Sequence, residues 1–144
     1  MEKENYTSAF KFLNCLNCLY MKKKIVLEYP INSSSKVLYT RLSTPGGLAE
    51  WFADDVNLKG NTYYFIWDES EQCAVVVKKK ENKYIQFRWV GEEEDSTFEF
   101  RINIDELTGD VALIITDTID EEDEEDAIGL WDSQIAELRH VLGS

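Results

Sequence analysis

A chain of 144 residues with 28 acidic and 15 basic side chains, net charge −13, is long enough to bury one core and too acidic to be built for nucleic-acid phosphates. The same surplus of carboxylates disfavours anionic membrane surfaces. With 44% hydrophobic and 12% aromatic residues, two prolines and seven glycines, the chain is neither disordered nor low-complexity.

The acid is unevenly spread: from Ile102 to Leu138 there is no Lys or Arg at all. The three cysteines, Cys15, Cys18 and Cys73, form no disulfide framework, and a reducing cytoplasm is expected. Residues 1–20 contain an apolar run from Phe12 to Tyr20, interrupted by Asn14 and Asn17. It is too short to span a bilayer, and Lys22–Lys24 follow it, where a signal peptide would have its charge in front. Residues 1–20 are therefore expected to be an extension outside the domain core, with the domain at 21–144. The pair Cys15-x-x-Cys18 has redox or zinc spacing but lacks two further ligands, and two small apolar residues in an amphipathic segment explain it more simply.

Lys24–Ile31 is β-branched and aromatic and contains Pro30, which predicts an edge strand. Asn32–Ser35 supplies N-cap residues, and Val37, Leu38, Arg41 and Leu42 follow at helical spacing. Thr44-Pro45-Gly46-Gly47 reads as a break, and Leu48–Ala53 as a second short helix. Five strands are then expected: Val56–Trp67, Gln72–Lys79, Lys83–Val90, Thr97–Ile104 and Asp110–Ile119, joined by gaps short enough for hairpins. In the third, Ile85, Phe87 and Trp89 alternate with Tyr84, Gln86 and Arg88, and in the fourth Phe98, Phe100, Ile102 and Ile104 alternate with Glu99, Arg101 and Asn103. One sheet face is thus buried and the other wet. The cover for the buried face is the final helix, whose Ile128, Trp131, Ile135, Leu138 and Leu142 form one apolar stripe ending at Gly143. The run Asp120–Asp126 stands at its start, where the helix dipole favours negative charge.

The fold class read from this order is α+β: a curved six-stranded antiparallel sheet around a long C-terminal helix, with two short helices between strands one and two. The segment Thr44-Pro45 with Leu48–Ala53, the strands Phe87-Arg88-Trp89 and Ser96–Phe100, and Gly129-Leu130-Trp131 running on to Leu138 resemble the helix-grip, or START-like, superfamily, in the branch related to the activator of the heat-shock chaperone ATPase. The resemblance covers residues 24–142. It implies an apolar cavity between sheet and long helix, and functions that range from binding lipids or other hydrophobic molecules, through chaperone cofactors, to cyclase-type enzymes. Fold does not choose among these.

No catalytic set is present. The one histidine, His140, stands near the end of the last helix, Ser33–Ser35 serve as caps, and Gly46-Gly47 is no phosphate loop. No cofactor and no metal are called for, because adjacent carboxylates lack the glycine and ligand alternation of a calcium loop. The candidates for an apolar ligand pocket are Trp51, Phe52, Tyr63, Phe65, Trp67, Tyr84, Phe87, Trp89, Phe100, Trp131 and Ile135. Two readings stand beside each other: these rings fill a core, or they line a pocket, and only the register decides which side each faces. The expected partner is an apolar small molecule; the alternatives are a protein with a basic surface and, third, a cyclase- or hydrolase-type activity. Neither nucleic acid nor membrane insertion is expected.

Overall fold

The computed structural model describes residues 22–143. Strand β1 (Lys22–Ile31) leads into helix α1 (Ser35–Ser43) and the one-turn helix α2 (Pro45–Leu48). Strands β2 (Asp55–Lys59), β3 (Thr62–Trp67), β4 (Ser70–Lys80), β5 (Tyr84–Trp89), β6 (Thr97–Ile104) and β7 (Val111–Asp120) follow. A 3-10 turn, Glu121–Asp123, then feeds the long helix α3 (Glu124–Leu142). The strands form one antiparallel sheet of seven in the order β1-β7-β6-β5-β4-β3-β2.

The sheet has one strand more than the six expected. The stretch Val56–Trp67 is two strands, β2 and β3, folded at a two-residue turn where Gly60 takes φ 62°. Only the positive φ of a glycine-led turn lets so short a connection match the strand twist. The second short helix is also displaced from Leu48–Ala53. It begins at Pro45, which suits the first helical position because its missing N–H has no partner to lose. Thr44 ends α1 and starts α2: its backbone N–H bonds to Thr40 O, and its hydroxyl accepts from Gly47 N at 3.0 Å. Ala49–Ala53 continue as hydrogen-bonded turns, with the amides of both Phe52 and Ala53 bonded to Leu48 O. Ser34 caps α1 through its hydroxyl, 3.1 Å from Val37 N.

Alternation along the strands decides what the sheet holds. Tyr63 and Phe65 of β3, Ala74 of β4, Ile85 and Phe87 of β5, Phe98 and Phe100 of β6, and Leu113 and Ile115 of β7 are all buried on the concave face. Trp131, Ile135 and Leu138 of α3 are buried against them, and Leu38, Leu42 and Leu48 close one end. At roughly 1.5–3 kcal/mol for each fully buried apolar side chain, the stripe on α3 is a main contributor to stability.

Polar contacts lace α3 to the edge strand β1 along its length. Lys23 Nζ donates to Glu124 at 2.7 Å, Tyr29 Oη donates to Asp132 at 2.7 Å, and the Arg139 guanidinium donates twice to Pro30 O. Glu124, Glu125 and Asp126 fill the first turn of the helix, and Gly143 ends it at φ 72°.

Candidate functional site

Phe52 stands at the centre of the space between sheet and helix. Its ring lies 5.0 Å from Phe65, 5.7 Å from Phe98 and 5.9 Å from both Phe100 and Trp131, centroid to centroid. Trp51 meets Phe100 at 5.5 Å, Tyr63 meets Phe87 at 5.2 Å, and Trp89 meets Phe98 at 4.9 Å. Offset and edge-on packing of this kind adds about 0.5–1.5 kcal/mol per pair beyond the area buried. These rings are packed on one another.

The polar tips of the cluster are satisfied by neighbouring backbone. Trp51 Nε1 donates to Arg41 O at 2.9 Å, Tyr63 Oη to Ser43 O, and Trp67 Nε1 to Phe52 O at 2.9 Å. Gln134 of α3 donates to the same Phe52 carbonyl at 3.1 Å. The Phe52 carbonyl therefore ties the α2 segment, β3 and α3 together. Beside this knot a cleft of about 430 Å³ opens between Ala49–Asp54, Trp67, Gln134 and Glu137. Trp51, Phe52 and Trp67 line it together with the polar side chains of Glu50, Asp54, Gln134 and Glu137. Glu50 is engaged by Arg41 in an ion pair, and Asp54 accepts the backbone N–H of Asp68 at 2.6 Å.

Ten of the eleven candidates named from sequence (Trp51, Phe52, Tyr63, Phe65, Trp67, Phe87, Trp89, Phe100, Trp131 and Ile135) belong to the concave cluster or pack against it. Tyr84 does not. It pairs with Arg101 across β5 and β6 on the outer face, with the Arg101 guanidinium 4.4 Å from its ring centroid. The cause is the two-residue period: Ile85 and Phe87 face inward, so Tyr84 cannot. Phe98, buried at the middle of the cluster, belongs with these candidates, and its alternation with Glu99 was the available signal.

Asp117 of β7 was not among the candidates. Its side chain lies on the concave side and accepts Trp131 Nε1–H at 2.9 Å. Burial pushes its pKa up to about 6, against the opposing pull of the Trp131 hydrogen bond, the Thr118 backbone and Lys22. Burial first, then the hydrogen bond to Asp132, also raises the Tyr29 hydroxyl well above its ordinary value. Among the described residues no three His, Cys, Asp or Glu side chains are grouped to hold a metal ion. Cys15 and Cys18 lie outside the described residues, while Cys73 sits on the outer face opposite Tyr64. No described helix is long and apolar enough to cross a membrane.

An antiparallel sheet gripping one long helix, with an aromatic space between, defines the helix-grip class. The family model for the START-like superfamily domain matches residues 19–144, and the chain belongs to that superfamily. Among solved structures it is similar to the protein BfR322 of Bacteroides fragilis, at 38% identity over 84% of this chain and 91% of that one, with TM-score 0.60. It shares its fold with the Aha1 dimer of Colwellia psychrerythraea (19% identity, 81% and 93% covered, TM-score 0.69). The same holds for the protein MLL2253 of Mesorhizobium loti (17% identity, 84% and 97% covered, TM-score 0.68). No curated protein matches the chain.

Proposed function

We propose that this chain is a non-catalytic binding protein for an apolar small molecule, lipid-like in character, taken up between the sheet and α3. The observation that carries the reading is the cleft of about 430 Å³ that opens directly onto Phe52 and Trp67. Its size falls within the range of small-molecule sites, which are mostly apolar with a few placed polar groups. A ligand entering there meets Trp67 among the polar side chains of Glu50, Asp54, Gln134 and Glu137, and deeper insertion requires the buried Phe52 ring to swing aside, since that ring fills the centre. Among the described residues no Ser, Thr, Cys, Lys or His lines the cleft, which favours binding over an enzymatic role. Titration with the neutral dye N-phenyl-1-naphthylamine tests this. Saturable fluorescence enhancement is expected, weakened about tenfold or more in Trp67→Ala. Absence of saturable binding, or binding unchanged by Trp67→Ala, defeats the proposal.

A second reading is favoured by one observation. Glu121, Glu122, Glu125 and Asp126 are exposed at the start of α3 and make no ion pair among the described residues. Such a surface suits a protein partner with a basic face, as for a chaperone cofactor. A partner that is captured by the wild type and released by salt, and lost on Glu121→Gln/Glu122→Gln/Glu125→Gln, favours this reading over the first.

A further inference from the structure

Positive charge is gathered on the face of the sheet that α3 does not cover. Ala74 and Val76 of β4 face inward opposite Trp89 and Phe87, and then the register slips by one residue at Val77. Beyond this bulge Lys78 stands opposite Gln86 and Lys80 opposite Tyr84, on the outer face. Without the extra residue both lysines would follow Ala74 and Val76 inward; bulges re-aim side chains in this way. Arg88 joins them on β5 and Arg101 on β6, and Lys59 lies over the outward ring of Tyr64 at 5.8 Å.

Arg101 apart, these cations lack carboxylate partners in a chain that has a large excess of carboxylates. Arg101 holds Glu99 bidentately at 3.0 and 3.2 Å, which neutralises the nearest acid. Among the described residues Lys59, Lys78, Lys80 and Arg88 make no ion pair. Lys78 instead stands over the Tyr84 ring at 5.7 Å, with Arg101 on the same ring at 4.4 Å. The outer face also carries Glu28, Asp55, Glu71 and Glu99, so the cations outnumber the acids there only around β4, β5 and β6.

We propose that the outer face across β4, β5 and β6 is a docking surface for an acidic protein segment in extended form. The net charge of −13 does not forbid it. The Debye length is about 8 Å at physiological salt, so a partner on this face senses the local cations rather than the distant helix. Lys78 and Lys80 are two residues apart on one strand, about 7 Å, the same repeat as alternate side chains of an extended acidic chain. Tyr84 holds Lys78 and Arg101 over one ring and so keeps two of the charges together for such a segment. The surface is separate from the cleft at Trp67, so this inference stands or falls independently of small-molecule binding.

The test is a titration of the isotope-labelled chain with a polyglutamate peptide, followed by amide chemical shifts. Shifts confined to Lys78–Lys80, Tyr84–Arg88 and Arg101 are expected, with affinity falling as salt is raised. Lys78→Glu/Lys80→Glu should weaken binding about tenfold or more, while Lys36→Glu on α1 leaves it unchanged. The milder Lys78→Gln/Lys80→Gln, checked for an unaltered melting temperature, serves if the charge reversal disturbs folding. No binding, shifts elsewhere, equal binding by the double variant, or tighter binding of a single-stranded oligonucleotide through the same face overturns the proposal.

Discussion

Asp117 is a buried acid whose raised pKa falls in the range between weakly acidic and neutral pH. Its carboxyl is pushed to about 6 in the folded chain, above its ordinary 3.8, because burial penalises the charged form. The native state therefore holds this proton more tightly than the unfolded one. The stability this gives is fully present below the ordinary carboxylate value and is lost as pH rises through 6. Denaturant midpoints followed from pH 4 to pH 8 should show a downward slope worth up to about 3 kcal/mol from this group. Asp117→Asn, which still accepts the Trp131 N–H, should flatten that slope; an unchanged profile refutes the assignment. Trp131→Phe removes the donor and should cost about 1–3 kcal/mol, most at neutral pH where the carboxylate is ionised. Nine of the ten rings named from sequence lie in this region, and the register was needed to separate them from Tyr84. The sequence reading passed over Asp117 because β7 reads as a continuous apolar run, in which one acid becomes informative only after the register shows it facing α3.

Among the elements, α3 and the α1–α2 elbow invite direct tests. Leu138 is fully buried, so Leu138→Ala should lower stability by about 2–5 kcal/mol, measured by urea unfolding. Gly47 is held where an added Cβ would come within 2.3 Å of Thr40 O and 2.7 Å of Arg41 Cα. Both are backbone atoms that cannot step aside, so Gly47→Ala should open the elbow and lower the melting temperature sharply, whereas Gly46→Ala meets open space and should be tolerated. The helix stripe from Trp131 to Leu138 was legible because three- and four-residue spacing has no other use. The β2–β3 turn was written as Gly60-Asn61, yet the strong β-branched and aromatic run Thr62–Trp67 behind it hid the weaker strand Asp55–Lys59 in front. The bulge at Val77 left no local mark at all, since Val75-Val76-Val77 looks uniform and only pairing with β5 reveals the slip.

At the scale of the whole molecule, like charges on and around α3 repel one another. Raising sodium chloride from low to physiological concentration should raise the melting temperature, and a fall would mean that attractive pairs such as Lys23–Glu124 dominate. The overall architecture was legible in the order of strands and helices, while the gathering of cations on β4, β5 and β6 was not, because it arises from register rather than composition. The lacing of α3 to β1 has a consequence for biosynthesis. Within the described residues β1 has its ladder partner in β7 and its polar ties in α3, so the strand made early must wait for elements made near the end. Closing so long a loop is entropically costly and slow. A ribosome stalled before β7 would leave Ile25, Leu27 and Ile31 bare on an unpaired edge, a nascent chain prone to clumping and in need of a holdase until the buckle snaps shut.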